Sequence, residues 1–183
     1  MRELGDEVLM KAYANGDMAA FEYLYDRHRG PLYRYILRQA GDVATANDLY
    51  QGSWEKIIRA RESYTASAPF KAWMYRIARN HIVDHFRRSR PTRNLAPDTL
   101  QDDGPGPEQV LIGEQAATGL AAAVSGLPAE QREALLLKLE AGLDLLTIAE
   151  ITGVSPETAK SRLRYAVGKL KKALGSPQNG AES

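Results

Sequence analysis

The sequence predicts an all-α protein, built as two small helical units on an acidic tether. Three observations carry that expectation. Nearly every periodic stretch of the 183 residues spaces its apolar side chains as a helix does. No alternating run bounded by turn residues calls for a strand. Between the helical stretches, Asn94 to Gln115 sets Pro97, Gly104, Pro105, Gly106 and Pro107 among five acids, with no Lys or Arg. The expected plan is a first unit over 1–93, a flexible linker over 94–115, a second unit over 116–175 and a disordered tail over 176–183. No internal repeat is visible.

Along the first unit, Val8, Leu9, Ala12 and Tyr13 give a helix over 7–14. After Asn15-Gly16, Asp17 can cap a second helix with Phe21, Leu24 and Tyr25 on its apolar side. Gly30-Pro31 is expected to kink or interrupt it before Leu32, Tyr35, Ile36 and Leu37 resume the pattern. Gly41-Asp42 opens a third, with Ala46, Leu49, Tyr50, Trp54, Ile57 and Ile58 turned inward. Ser67 and Pro69 read as cap and first turn of a long helix carrying Phe70, Trp73, Ile77 and Ala78.

Beyond the linker, helices are expected over about 110–125, 128–141, 146–152 and 156–174. The last two make a recognisable pair. A short helix ends at Gly153, which suits a left-handed cap, and Ser155 or Thr158 can cap the next one. Ile148, Ala149, Ile151, Val154, Ala159 and Leu163 have the buried spacing of a helix-turn-helix, whose second helix enters the major groove by its N-terminal turns. Thr158, Lys160, Ser161 and Arg164 project from those turns.

Charge supports contact with nucleic acid. The net charge is only +1, but it is unevenly laid out. Seven basic residues and one acid lie between Lys71 and Arg93, and six and one between Val154 and Ala173. Two basic islands flank an acidic bridge, a pattern suited to phosphate backbones. The 44% hydrophobic and 26% charged content is that of a globular domain. The absence of Cys excludes disulfides and thiolate metal sites. MRELGDEVLMKAY has no long apolar run, so neither a signal peptide nor membrane insertion is expected, and the chain is expected in the cytoplasm.

Asp48-Leu49-Tyr50-Gln51-Gly52-Ser53-Trp54 and the later FKAWMYRIARNHIVDHFRRSR resemble the bacterial sigma factors of the sigma-70 superfamily, in particular the two-domain extracytoplasmic-function (ECF) group. The pattern W-L/M-x-x-I-A-R-N-x-x-x-D-x-x-R is met by Trp73, Met74, Ile77, Ala78, Arg79, Asn80, Asp84 and Arg87 or Arg88. GLPAEQREALLLKLEAGLDLLTIAEITG resembles the start of the family's fourth region, so the likeness spans about 6–92 and 116–174.

The resemblance implies an alternative sigma factor that binds core RNA polymerase at its clamp and flap, recognises promoter DNA and melts it. The clamp contact would fall on Asp48, Leu49, Gln51, Trp54 and Glu55. The −10 element would meet Tyr64, Ser67, Phe70, Lys71, Arg76, Asn80, Arg87 and Arg88, which combine phosphate-neutralising charge with faces for unstacked bases. The −35 element would meet Thr158, Lys160, Ser161 and Arg164. Control by an anti-sigma factor or a Ser/Thr kinase is a further implication. No cofactor, metal or catalytic residue is expected.

Three departures bear on this. Gly52 takes a place where relatives commonly carry an acid, Thr45 another, and Tyr165 a place where many carry Arg. A phosphate on Thr45 would restore the negative charge beside the helix N-terminus, while a plain capping or surface threonine is the simpler reading. Two rival functions are weighed. His81, Asp84 and His85 form His-x-x-acid-His at i, i+4, yet His28 is the only other histidine to complete a metal site. A ligand-sensing helix-turn-helix regulator would bind its operator as a dimer without polymerase.

Overall fold

The computed structural model describes residues 1–89 and 114–175, with side chains from residue 119 in the second stretch. The expected linker, apart from Glu114 and Gln115, and the expected tail lie outside the described residues. The first unit contains α1 (Asp6–Ala14), α2 (Met18–Ala40), α3 (Val43–Arg59) and α4 (Phe70–Ser89), with a 3-10 turn at Arg61–Ser63. The second contains α5 (Glu114–Ser125), α6 (Ala129–Leu139), α7 (Leu145–Thr152) and α8 (Pro156–Gly175). No strand occurs among the described residues.

Helix ends follow the sequence closely. The Asp17 carboxylate accepts the Ala19 and Ala20 amides at 3.0 and 3.3 Å and so starts α2. Gly41, at φ 84°, ends it in the left-handed region open to glycine. Asp42 accepts the Thr45 amide at 2.8 Å and opens α3 one residue later.

Two expectations are corrected. Pro31 does not interrupt α2, which runs unbroken from Met18 to Ala40. Proline inside a helix costs about 3 kcal/mol. Leu32 and Ile36, fully buried just beyond it, each repay about 1.5–3 kcal/mol by burial, and continuity wins. Ser67 does not cap α4: its hydroxyl lies 2.9 Å from that of Thr65. The first amide of α4, on Phe70, instead donates to Glu7 Oε1 of α1 at 3.0 Å.

The first unit's core joins Leu9, Leu24, Leu32, Ile36, Leu49, Ile57, Met74 and Ala78 from all four helices. Its N-terminus is held by Arg27, whose guanidinium donates to Asp6 Oδ1 at 2.9 Å and to the Leu4 and Arg2 carbonyls at 2.7 and 2.6 Å. Buried His28 closes on the other Asp6 oxygen at 2.8 Å. These bonds, that from His28 foremost, hold the Asp6 carboxyl below its usual range. In the second unit, Val124, Leu127, Leu135, Leu136, Ile148, Ile151, Ala159 and Ala166 form the core.

The two units face each other, α2 against α6 and α4 against α7. Arginines of the first meet glutamates of the second: Arg79 to Glu133 at 2.7 Å, Arg34 to Glu140 at 2.9 Å, Arg76 to Glu150 at 3.3 Å and Arg38 to Glu140 at 3.9 Å. Nothing local marks these pairs in the sequence, because each joins residues more than fifty positions apart.

Candidate nucleic-acid interface

On α3 the helical repeat places Asp48, Gln51 and Glu55 toward solvent, Gly52 half-buried beside α4, and Ala46, Leu49, Ser53 and Ile57 inward. Asp48, Gln51 and Glu55 are exposed, and Gln51 Nε2 donates to Glu55 Oε1 at 3.3 Å. Leu49 and Trp54 are 1% and 6% exposed. Expected at the clamp contact, they lie beneath the exposed stripe, where apolar side chains of that size gain most from burial. Trp54 meets Phe21 and Tyr50 edge-on and lies tilted against Tyr25.

Gly52 is held bare by its neighbour. A Cβ built on it would run into Nε2 of His81, which leans across from α4. The imidazole is partly buried, and that burial, followed by the nearby Lys56 and His85, lowers its pKa. Thr45 sits half-buried in the first turn, its amide and its hydroxyl both bonded to the Asp42 carboxylate.

The loop between α3 and α4 is braced rather than loose. Tyr64 donates to the Ala68 carbonyl at 3.0 Å, and its ring meets Trp73 edge-on at 5.1 Å. Arg61 lies over the Tyr13 ring at 5.7 Å. Phe70, expected to face DNA, is 1% exposed and packs against His28 at 5.3 Å and Trp73 at 6.0 Å. It belongs to the core, which is the use its size favours. Ser67, Lys71, Arg76, Asn80, Arg87 and Arg88 are exposed. Arg76 is the one whose guanidinium is already drawn to Glu150.

In the second unit Asp144 caps α7 through the Thr147 amide at 2.8 Å, and Gly153 ends it at φ 70°. Ser155, rather than Thr158, caps α8: its hydroxyl accepts the Thr158 amide at 3.2 Å and donates to the Thr158 hydroxyl at 3.0 Å. Ala159 and Ala166 are buried, which turns Thr158, Lys160 and Arg164 to solvent, with Ser161 half-buried. The Arg164 guanidinium lies 5.3 Å above the exposed ring of Tyr165.

Sequence reasoning missed Glu7, the arginine–glutamate seam and the seating of His81 on Gly52. The bare glycine, following Gln51 in a helix, was the only signal of the last. Among the described residues no cluster of three or more His, Asp or Glu could hold a metal ion. Clefts of about 240 and 250 Å³ at the seam are lined by Asp6 and Lys71, with Arg27 and Glu140 in one and Glu7 and Asp144 in the other. Such charged walls are unlike the apolar pocket a small-molecule sensor needs. No described helix is long and apolar enough to cross a membrane.

Comparison with known proteins agrees with both halves of this arrangement. The family model for Sigma-70 region 2 matches residues 24–92, and that for Sigma-70 region 4 matches 118–170. The chain is 36% identical over 169 residues to the ECF RNA polymerase sigma factor SigL of Mycobacterium tuberculosis, covering 88% of this chain and 92% of that one. It is 33% identical over 153 residues to the RNA polymerase sigma factor SigZ of Bacillus subtilis, covering 84% and 86%. The fold is similar to that of CnrH solved with the cytosolic domain of CnrY, at TM-score 0.70 and 22% identity over 94% of this chain and 99% of that one. A regulator built from an unrelated sensor and a helix-turn-helix is not favoured, since both units match regions of one family. The chain belongs to the ECF group of sigma-70 factors: it is a DNA-binding alternative sigma factor that joins core RNA polymerase and directs promoter recognition for transcription initiation.

Proposed function

We propose a division of labour among the exposed faces. Asp48, Gln51 and Glu55 dock the polymerase clamp, with Leu49 and Trp54 holding that face in shape. Tyr64 and Ser67 of the braced loop, with Lys71, Arg76, Asn80, Arg87 and Arg88 of α4, hold the −10 element. Phe70 fixes the loop from inside. Thr158, Lys160, Ser161 and Arg164 read the −35 element. The units act as region 2 over 1–93 and region 4 over 116–175, joined by the segment 94–115. The chain contributes no catalytic group and works in the bacterial cytoplasm, where its polymerase is.

The observation that carries this reading is the exposure of Asp48, Gln51 and Glu55 along one stripe over a buried Leu49 and Trp54. Restraint by an anti-sigma partner is one route of control. A kinase acting at Thr45 is the less favoured one, because its phosphate would lie beside the Asp42 carboxylate that now binds the hydroxyl.

Run-off transcription with core polymerase tests the assignment. The wild-type chain is expected to give a promoter-specific transcript only when core is present. Asp48→Ala and Gln51→Ala are expected to weaken core capture about three- to tenfold while leaving circular dichroism unchanged. Unaltered core affinity in both variants would overturn the docking assignment.

A further inference from the structure

We propose that His81 is a contact residue for core polymerase, its imidazole lying over Gly52 at the edge of the docking stripe. The proposal rests on the assignment of that stripe to Asp48, Gln51 and Glu55.

The geometry comes from two helices. On α3, Asp48, Gln51 and Glu55 recur at helical spacing along one solvent-facing line, and half-buried Gly52 with exposed Lys56 forms its border toward α4. His81 crosses that border from α4. Its Nε2 occupies the space in which a Cβ on residue 52 would sit, and Cε1 and Cδ2 come within 3.1 and 3.3 Å of the same point. The ring therefore takes the room of the missing side chain. A glycine within a helix costs about 1 kcal/mol relative to alanine, so leaving one here needs a compensating contact, and the imidazole supplies it.

What the ring presents to a partner differs from an acid. Neutral imidazole offers one donor and one acceptor and carries no charge, so it does not compete with Asp48 and Glu55 for a basic surface. Burial and the charged groups facing it, Lys56 on α3 with His85 and Arg88 on its own helix, disfavour protonation, against the opposing pull of Asp84. Below its lowered pKa the ring becomes a cation on the border of an acidic stripe. Docking to a basic clamp then weakens. The sequence singles out His81 only as part of His-x-x-acid-His with Asp84 and His85, and its place against Gly52 is visible only once α3 and α4 are assembled.

Core-polymerase affinity of the full chain tests this with three variants. His81→Ala is expected to lose about three- to tenfold in affinity. Gly52→Ala is the informative partner: alanine favours the helix, but its methyl displaces the ring, so docking should weaken by a similar factor without loss of thermal stability. In Gly52→Ala with His81→Ala the losses should not add, because one displaced ring accounts for both. A charge readout separates contact from mere packing. As pH falls from neutral through the lowered imidazole pKa, the wild type should lose more affinity than His81→Gln. Wild-type affinity in both His81→Ala and Gly52→Ala, with Asp48→Ala still impaired, overturns the proposal and leaves the docking face intact. Wild-type affinity in all three overturns the docking face and the proposal with it. Equal pH dependence in wild type and His81→Gln also overturns it.

Discussion

Single side chains decide what each face of this sigma factor can read. On α8, Lys160 and Arg164 leave the first turns of a helix whose Ser155 cap fixes its entry. Lys169 and Lys171 lie a turn or more further along. A side chain that reaches base edges supplies about 1–3 kcal/mol of discrimination at particular positions, whereas a phosphate contact acts evenly on every sequence. Lys160→Ala and Arg164→Ala are therefore expected to relax preference at specific −35 positions by that amount. Lys169→Ala and Lys171→Ala are expected to lower affinity uniformly or not at all. Binding of holoenzyme to a panel of single-base −35 variants makes the distinction, and equal sequence-independent losses from all four would dissolve it. Tyr165 brings no charge of its own and gives its face to Arg164.

Whole elements were legible where their signals were local. Asp17 and Asp42 each announce a helix and each caps one, and Gly153 ends its helix in the left-handed region as its place before the turn suggests, whereas the Asp144 cap went unread. The failures came where a distant residue outbid a local one. Pro31 signals a break that the burial of Leu32, Tyr35 and Ile36 overrules. Ser67 signals a cap that Glu7 supplies from 63 positions away. The same held for the site: the charge islands and the α3 stripe could be read by eye, but Phe70 stood both in the apolar pattern of its helix and among the expected DNA contacts, and only assembly shows it buried. Glu7 also yields a prediction for its element. Glu7→Ala removes the acceptor of the Phe70 amide, and loss of a cap costs about 1 kcal/mol. Chemical denaturation should register that loss, with faster amide exchange in the loop at 60–70. If Glu7→Ala matches wild type on both counts, water satisfies the amide as well as Glu7 does.

At the scale of the molecule the seam between the units sets four arginines against three glutamates. Arg79 and Glu133 are the most enclosed pair, with side chains 24% and 13% exposed. The more exposed pairs, Arg34 and Arg76 among them, are open to screening and each contribute at most about 1 kcal/mol. Glu133→Gln together with Glu150→Gln is expected to let the units separate. Small-angle scattering of the free chain should show a larger radius of gyration for the double variant at low salt, and wild type should approach it as salt is raised. Identical radii under all conditions would show that the seam is held by packing and not by charge. The overall two-unit plan was legible in composition, since the acidic, Pro- and Gly-rich stretch at 94–115 divides it. The apposition of the units was not, because charge pairing between distant helices leaves no periodic trace.

The bare position on α3 also limits how this chain can change. The ring at 81 in its present place and a side chain at 52 cannot share one space, so any substitution at 52 is also a perturbation of residue 81. What must give way is the far end of a side chain and not backbone, so an acid at 52 needs only that the imidazole swing aside. Charge added to this face therefore arrives together with a displaced ring, and a variant at 52 reports the sum of the two effects unless residue 81 is changed with it.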